Sequence, residues 1–303
     1  MKYKYIIFTL ICGTFLPLFG NPAEEYYNQA CIAFNSGDWP EASRNFCIVS
    51  QNFPDTSYAH ESFFYEGICD YHLEDYDFAN QKLNNYLKCQ SNPKYFLEAM
   101  DYKLAIAEKF RCGAKKRVLD TAYMPKWFTG KTLALEIYDE IIAAMPNHEM
   151  AAQALFSKGC LQWDLREYSD AVESFQTLVR RFPKHEYSPE CYLFINKIYL
   201  AQSKLEFQNS DFVARAEINL RRFREVFPQE ERITEAEQDV LEIKEVYAKG
   251  LYDTGKFYEK MQKPTAAVIY YKKAINDFPE TNIANCCKDR LLEICPESLN
   301  SPT

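Results

Sequence analysis

The sequence predicts an all-α protein, a right-handed α-solenoid of about six stacked helix pairs that ends in a C-terminal capping helix. Three observations predict this class. One motif recurs along the chain, a small residue stands at a fixed distance before most of its copies, and the composition favours helices over turn-rich β folds. The 303 residues include only 9 glycines but 22 tyrosines and 22 phenylalanines, as expected for aromatic packing between helices.

The recurring motif is an alanine followed four residues later by an aromatic residue or leucine, then by an apolar residue, and then by a proline. Residues 170–183, DAVESFQTLVRRFP, and residues 266–279, AAVIYYKKAINDFP, both carry it. Its spacing places the apolar groups on one helical stripe, and proline cannot continue a helix. Each copy therefore predicts one amphipathic helix. The alanines of the six copies are Ala42, Ala79, Ala134, Ala171, Ala216 and Ala267.

A second helix is predicted before several of these alanines. Gly67, Gly159 and Gly255 each precede their alanine by twelve residues, and Ala30 has the same place in the first copy. Glycine inside a helix costs about 1 kcal/mol relative to alanine, so its repetition indicates that a neighbouring helix approaches closely there. This skeleton resembles the tetratricopeptide repeat, a helix-turn-helix unit. The resemblance implies units that stack into a superhelix with a continuous core.

The spacing of the copies predicts an insertion at about residues 110–130. The interval between the second and third alanines is 55 residues, whereas that between the first and second is 37. The extra residues are basic and aromatic in an acidic protein, which suits contact with an acidic, apolar partner protein. The alternative is a loop that folds back on the solenoid. The predicted contact residues are Lys115, Lys116, Arg117 and Trp127.

The first twenty residues, MKYKYIIFTLICGTFLPLFG, have the layout of a secretory signal: lysines, an apolar run and a small residue before the cut. Cleavage is predicted after Gly20, while lipidation at Cys12 and a retained transmembrane anchor stay open. The predicted domains are the signal (1–20), the solenoid with its insertion (21–295) and a polar tail (296–303). The signal predicts export.

The remaining features argue against a nucleic-acid-binding protein and against an enzyme. The net charge is −8 and the pI is near 5.3. The sequence has no GxGxxG, Walker, GxSxG or HExxH motif, and its four histidines do not pair at metal-ligand spacing. A wall-cleaving glycosidase would need a catalytic domain, and the repeats leave almost no chain for one. We therefore expect no enzymatic activity, no metal and no cofactor.

Stacked helix pairs present a concave face formed by the first helix of each pair. In the N-terminal half this helix is rich in aromatic residues, with carboxylates at the rim. Such a groove suits an extended peptide with aromatic side chains, because aromatic groups give a large contact area at low entropic cost. The alternative, that all these side chains are core packing, stays open. The predicted peptide-binding residues are Tyr27, Phe34, Phe64 and Tyr71.

Three features together resemble the BamD (ComL) family, tetratricopeptide subunits of the bacterial outer-membrane β-barrel assembly machinery. They are the export signal, residues 28–54 (NQACIAFNSGDWPEASRNFCIVSQNFP) and residues 248–281 (AKGLYDTGKFYEKMQKPTAAVIYYKKAINDFPET). The resemblance runs over most of residues 24–295. The residues that carry it best are Lys249, Tyr252, Phe257, Tyr258, Ala267 and the Pro279-Glu280-Thr281 turn.

The resemblance implies a periplasmic scaffold at the inner leaflet of the outer membrane, associated through its partners or a lipid anchor. The N-terminal repeats would receive unfolded barrel substrates, and the C-terminal repeats would dock on the barrel-shaped insertase. On that basis Lys249, Tyr252 and Lys256 are expected to contact the insertase. The alternative is a periplasmic tetratricopeptide adaptor that coordinates cell-wall synthesis with envelope constriction.

Overall fold

The computed structural model of the protein describes residues 22–89, 91–117, 124–206 and 209–294. The predicted signal peptide and polar tail lie outside these residues, so cleavage, lipidation and export stay predictions. Helices dominate the described residues, which confirms the all-α prediction.

The described helices form six consecutive pairs and a final single helix, as the repeated motif predicts. None of them is long and apolar enough to cross a lipid bilayer. The first helices of the pairs are α1 (Pro22–Ser36), α3 (Ser57–His72), α5 (Phe96–Arg111), α7 (Glu149–Asp164), α9 (Ser188–Leu205) and α11 (Ile233–Lys260). The second helices are α2 (Trp39–Asn52), α4 (Tyr76–Cys89), α6 (Lys131–Ala144), α8 (Tyr168–Arg181), α10 (Asp211–Val226) and α12 (Pro264–Asp277), and the capping helix is α13 (Asn282–Ile294).

The described chain divides into two compact units. Unit 1 holds the described residues of 22–109 and 115–128, and unit 2 holds those of 110–114 and 129–294. The division falls in the third pair, where the insertion separates α5 from α6. Helices α1 to α4 in unit 1, and helices α6 to α13 in unit 2, pack on one another in chain order, in the manner of an α-solenoid.

The motif alanines lie on the buried stripes of the second helices. All six have an exposed fraction of 0%, and the aromatic or leucine side chains four residues after them are buried as well. No single helix can remove such a stripe from water, so each stripe is buried only when the helices pack. The repeated motif is therefore the core of the fold, as the sequence predicts.

The glycines of the first helices are sites of close approach, which confirms the second expectation from the repeats. A Cβ atom built on Gly159 would lie 2.7 Å from Cε1 of Phe175, and one on Gly255 would lie 2.5 Å from Cε1 of Tyr271. Real Cβ atoms essentially never come this close to another side chain. The ring of the second helix thus occupies the space that a larger side chain would need.

The turns inside four of the pairs share one backbone conformation. Gly37, Glu74, Arg166 and Gln262 each stand five residues before a motif alanine and have φ between 56° and 78°. The residue after each donates its N–H to the carbonyl five positions back, at 2.8–3.0 Å. This bond satisfies a carbonyl that the helix end leaves unpaired. It holds three non-glycine residues in a left-handed conformation that costs about 1 kcal/mol each.

The insertion between α5 and α6 forms a β-hairpin, which the helical pattern did not predict. Strand β1 (Lys115–Arg117) pairs with strand β2 (Lys126–Thr129) in a two-stranded sheet. Gly113, with φ 104°, precedes β1 and allows the chain to turn after α5.

We expect Gly159→Ala to lower the free energy of unfolding by about 1 kcal/mol or more. Overpacking against Phe175 costs about 1–3 kcal/mol, which exceeds the gain of about 1 kcal/mol from the better helix propensity of alanine. Urea unfolding measures the change. In a double-mutant cycle, Phe175→Leu should relieve part of the cost by making room for the methyl group. Strictly additive effects of the two substitutions would contradict the close contact.

Candidate protein-binding surfaces

The aromatic side chains of α1 cluster with those of α3 in unit 1. Tyr27 donates its hydroxyl hydrogen to Oε2 of Glu61 at 2.7 Å, and its ring lies 5.0 Å from that of Tyr58. The ring of Phe34 lies 5.2 Å from that of Tyr65. Burial, together with the hydrogen bond to Glu61, raises the pKa of Tyr27, so the hydroxyl keeps its proton. Tyr27 and Phe34 are half-buried, and part of each ring can still meet a ligand.

The structure corrects the prediction for Phe64. Its side chain is only 4% exposed, because Tyr86 on α4 and Tyr95 before α5 cover it, with the Tyr95 ring stacked at 4.7 Å. Phe64 is therefore a core residue and offers a peptide no surface. Tyr71 is half-buried, with its ring 5.4 Å from that of Tyr102. Of the four predicted peptide-binding residues, only Tyr27, Phe34 and Tyr71 expose part of their rings to solvent.

A group of buried charges lies between α2, α3 and α4. Glu66 is 1% exposed and accepts hydrogen bonds from Ser50 and from the ammonium group of Lys82. Asp70 lies one turn further along α3 and accepts a hydrogen bond from Ser43 at 3.3 Å. Burial raises the pKa of Asp70 to about 7, and the charge of Glu66 adds to the effect. One lysine thus faces one buried and one half-buried carboxylate.

Arg117 fastens the hairpin to the second helix pair. Its guanidinium group lies 2.7 Å from Asp77 and 2.9 Å from Asp75, and it stacks 4.5 Å above the ring of Phe78. The side chain is only 8% exposed. Burial raises the pKa of Asp75, but hydrogen bonds from Lys126 and Arg117 outweigh this and lower it overall. The prediction that Arg117 binds a partner is thus corrected, since its donors are used inside unit 1.

The rest of the hairpin leaves aromatic side chains in solvent. Trp127 is 72% exposed and Phe128 is 53% exposed. Lys115 is exposed and Lys116 is half-buried. Lys126 pairs with Asp75, and side chains alternate along a strand, so Trp127 points away from this ion pair. Trp127, Lys115 and Lys116 are therefore accessible to a partner, and their contact with one stays a prediction.

A groove of about 550 Å³ runs along one side of α11 in unit 2. Phe257 lies in it with 57% of its surface exposed. The groove forms where side chains are small, and it reaches the end of α9. The lining residues of α11 are spaced by three, four and seven positions, so they lie on one face of the helix. This spacing is visible in the sequence and could have indicated the groove. The lining includes Lys204, Lys249, Gly250, Asp253, Thr254 and Phe257.

A second hollow of about 400 Å³ adjoins the groove. The two share Gly250 and Thr254, and the second hollow extends to Tyr270 and Lys273 on α12. Tyr270 is held in place by stacking on Tyr258 at 5.3 Å. Together the hollows offer a partner apolar rings next to charged groups of both signs.

Of the residues predicted to bind the insertase, Lys249 lies in the groove. Tyr252 and Lys256 do not line either hollow. Instead, the ammonium group of Lys256 lies 5.4 Å from the centre of the Tyr252 ring, a cation–π contact. Lys256 is exposed and Tyr252 is half-buried, so this pair is a neighbouring surface and not part of the groove.

The helices behind the groove are fastened to the capping helix. Glu259 on α11 accepts hydrogen bonds from the hydroxyl of Tyr271 and from the guanidinium group of Arg290 on α13, the latter at 2.6 Å. The bonds from Arg290 lower the pKa of Glu259. This carboxylate therefore stays ionised and links three helices, which keeps the groove wall in one position.

Residues 153–185 and 249–281 match the profile of the tetratricopeptide repeat family. They cover most of α7–α8 and the second half of α11 with α12, which are two of the six helix pairs. These two helix pairs therefore match the tetratricopeptide repeat. The match is to the repeat itself and does not single out BamD (ComL) among tetratricopeptide proteins. Tetratricopeptide repeats are typical of protein-interaction scaffolds without catalytic activity.

Several solved structures resemble the chain at low identity. A part of MamA from Desulfovibrio magneticus RS-1 is 18% identical with a TM-score of 0.38, over 70% of this chain and 98% of that one. YrrB, described as a TPR protein with an unusual peptide-binding site, is 12% identical with a TM-score of 0.39, over 71% and 92%. A tetratricopeptide repeat protein from Parabacteroides merdae is 13% identical with a TM-score of 0.39, over 92% and 99%. No functionally curated protein matches the sequence.

In the described part of the chain, no group of three or more histidine, cysteine, aspartate or glutamate side chains could hold a metal ion. The cysteines there are free thiols. Cys69, Cys191 and Cys287 are buried, whereas others such as Cys89 and Cys112 are exposed.

We expect Asp70→Asn to stabilise the protein at pH 8 and to change its stability much less at pH 5. The pKa of Asp70 is about 7 in the folded protein and about 4 in an unfolded chain. The folded protein therefore binds the extra proton between these values, and the contribution of Asp70 to stability falls as the pH rises through this window. Urea unfolding at the two pH values should differ by about 1–3 kcal/mol.

The control for this effect is Asp55→Asn, which changes an exposed aspartate of the same unit. It should shift the stability by the same small amount at both pH values. If Asp70→Asn also changed the stability equally at both pH values, the negative charge of Asp70 would not destabilise the folded protein.

We expect Arg117→Ala to release the hairpin. The substitution leaves the half-buried Asp77 without Arg117 and leaves Asp75 with Lys126 alone. Breaking a fully buried pair costs about 3–5 kcal/mol, and we expect a smaller cost at these half-buried groups. Hydrogen exchange measured by mass spectrometry should become faster in peptides that cover residues 115–117 and 126–129. Lys115→Ala, at an exposed position of the same strand, should leave exchange unchanged. Equal protection in the wild type and Arg117→Ala would show that the ion pairs do not hold the hairpin.

Proposed function

We propose that the protein is a scaffold in outer-membrane β-barrel assembly, and that it binds a partner protein through the groove on α11. The groove carries the proposal. It places a largely exposed phenylalanine, Phe257, beside Lys249 and Asp253 on a helix whose neighbours hold it rigidly. An exposed aromatic ring in a concave surface is the usual form of an anchor site for a protein partner.

The chemistry of the groove favours a peptide or helix with an apolar side chain and a charge of either sign. Phe257 offers the apolar contact, Lys249 can pair with a carboxylate, and Asp253 can pair with a lysine or arginine. Gly250 and Thr254 have small side chains, so a bulky group of the partner can enter between them and α12. These features support binding and include no arrangement of groups for catalysis.

The assignment to outer-membrane assembly is supported by the sequence resemblance of residues 248–281 to the BamD (ComL) family, which covers the same helix. On this proposal the groove receives the insertase, and Lys256 with Tyr252 extends the contact. The exposed parts of Tyr27, Phe34 and Tyr71 receive the aromatic end of unfolded barrel substrates. The second candidate function is the periplasmic adaptor in cell-wall synthesis, which would use the same groove for a different partner.

Photo-crosslinking in intact cells tests the proposal. A photoreactive residue at position 253 lies in the groove, and one at position 269 lies on an exposed part of α12 that lines neither hollow. We expect position 253 alone to capture the insertase, identified by mass spectrometry of the purified adduct. The additional substitution Phe257→Ala should reduce the yield roughly tenfold, as for an anchor residue, while Ile269→Ala should not change it.

Other results of the crosslinking experiment would contradict either the assembly role or the groove as the binding site. Capture of wall-synthesis proteins alone from position 253 would replace outer-membrane assembly by the second candidate function. Equal capture from positions 253 and 269, or an adduct insensitive to Phe257→Ala, would show that the groove is not the binding site.

A further inference from the structure

The hairpin in unit 1 has one closed edge and one open edge. The backbone N–H of Arg117 in β1 donates to the Asp77 carboxylate at 3.1 Å, so α4 occupies the outer side of β1. The sheet has two strands within the described residues, and β2 has a strand neighbour on one side only. An unpaired strand edge presents backbone donors and acceptors in the spacing of a β-ladder.

The open strand is held in a fixed position. Arg117 and Lys126 bind Asp75 from both strands, and Arg117 also binds Asp77. An isolated two-stranded hairpin is at best marginally stable in water, so these ion pairs are what allows β2 to persist. A strand that is already extended loses less entropy when another strand joins it.

The side chains of β2 are suited to a contact and not to solvent. Residues 127–129 are all exposed, and they include a tryptophan and a phenylalanine on opposite faces of the strand. Soluble proteins usually protect an edge strand with charges, proline or a covering element. Among the described residues, none of these protects residues 127–129 of β2.

The positive charge of strands β1 and β2 favours a partner with acidic side chains. The strands contain four cationic side chains and no acidic one. Arg117 and Lys126 are balanced by the two aspartates of α4 and its preceding turn. Lys115 and Lys116 have no recorded carboxylate partner among the described residues, so they leave the hairpin with an excess positive charge.

We propose that the open edge of β2 accepts an extended segment of a partner protein as a third strand, and that this segment alternates acidic and apolar residues. Backbone hydrogen bonds to β2 would provide the pairing, as in other cases of strand addition. Trp127 would cover the apolar side chains of the segment on one face of the sheet, and the positive charge of Lys115 and Lys116 would attract its carboxylates. This surface lies in unit 1, and the inference is independent of the groove on α11.

A synthetic peptide of about ten residues that alternates glutamate and valine provides the probe. Its binding to the full chain is followed by tryptophan fluorescence. The chain has three tryptophans, so the signal of Trp127 is the part that Trp127→Ala removes, and this part should shift to shorter wavelength when a strand covers the exposed ring. We expect Trp127→Ala to weaken binding, measured by calorimetry, roughly tenfold or more. Phe257→Ala should leave binding unchanged, which separates this site from the proposed groove.

The backbone contribution is tested with the same peptide methylated at alternate amide nitrogens, in the two possible phases. One phase removes the donors that face β2 and should abolish binding, whereas the other should bind like the parent peptide. Equal binding of both phases, or no binding of the parent peptide, would overturn the proposal. Binding of anionic lipid vesicles through Trp127 without binding of the peptide would also overturn it, in favour of a lipid surface.

Discussion

The close approach of the two helices in the pairs α3–α4, α7–α8 and α11–α12 is the constraint on which the rest of the structure depends. At Gly159 and Gly255 the ring of the second helix lies where a side chain of the first would be. A ring that fits into one position fixes the register of the two helices. Only a few residues then connect the two helices, and a left-handed turn residue such as Arg166 allows the chain to reverse within them. The next pair packs on the remaining apolar surface, and the stacking follows from repetition of one contact.

The buried polar contacts have a different role from this apolar core. Apolar packing is non-directional, so it holds helices together but does not place a short hairpin on a helix surface. The guanidinium group of Arg117 has a fixed geometry and binds Asp75 and Asp77 at once. It positions strands that are too short to have a core of their own. The group of Glu66, Asp70 and Lys82 instead carries more negative than positive charge, and it makes part of unit 1 sensitive to pH.

The features of the structure that could be predicted from the sequence are those that repeat over short stretches of the chain. The motif alanines and the glycines at fixed register repeat within short windows, so the helix pairs follow from the sequence. The partners of Arg117 lie 40 and 42 residues away, and a basic residue in an insertion has the same local pattern whether it is paired or free. Phe64 was placed wrongly because its cover comes from Tyr95, outside its own helix pair. The groove depends on missing volume at Gly250 and Thr254, which becomes visible only when the neighbouring helices are in place.

The two proposed surfaces recognise a partner by different physical means. The groove around Phe257 reads side chains, because its shape and charges fit particular groups. The edge of β2 reads mainly the backbone, which is the same in every extended chain, so its selectivity is broad and set by charge. A scaffold for barrel assembly meets many substrates that share strand conformation but differ in sequence, and one insertase whose sequence is constant. A backbone-reading edge suits the first and a side-chain-reading groove suits the second. A chain with both kinds of surface could therefore hold variable and constant partners without competition for one site.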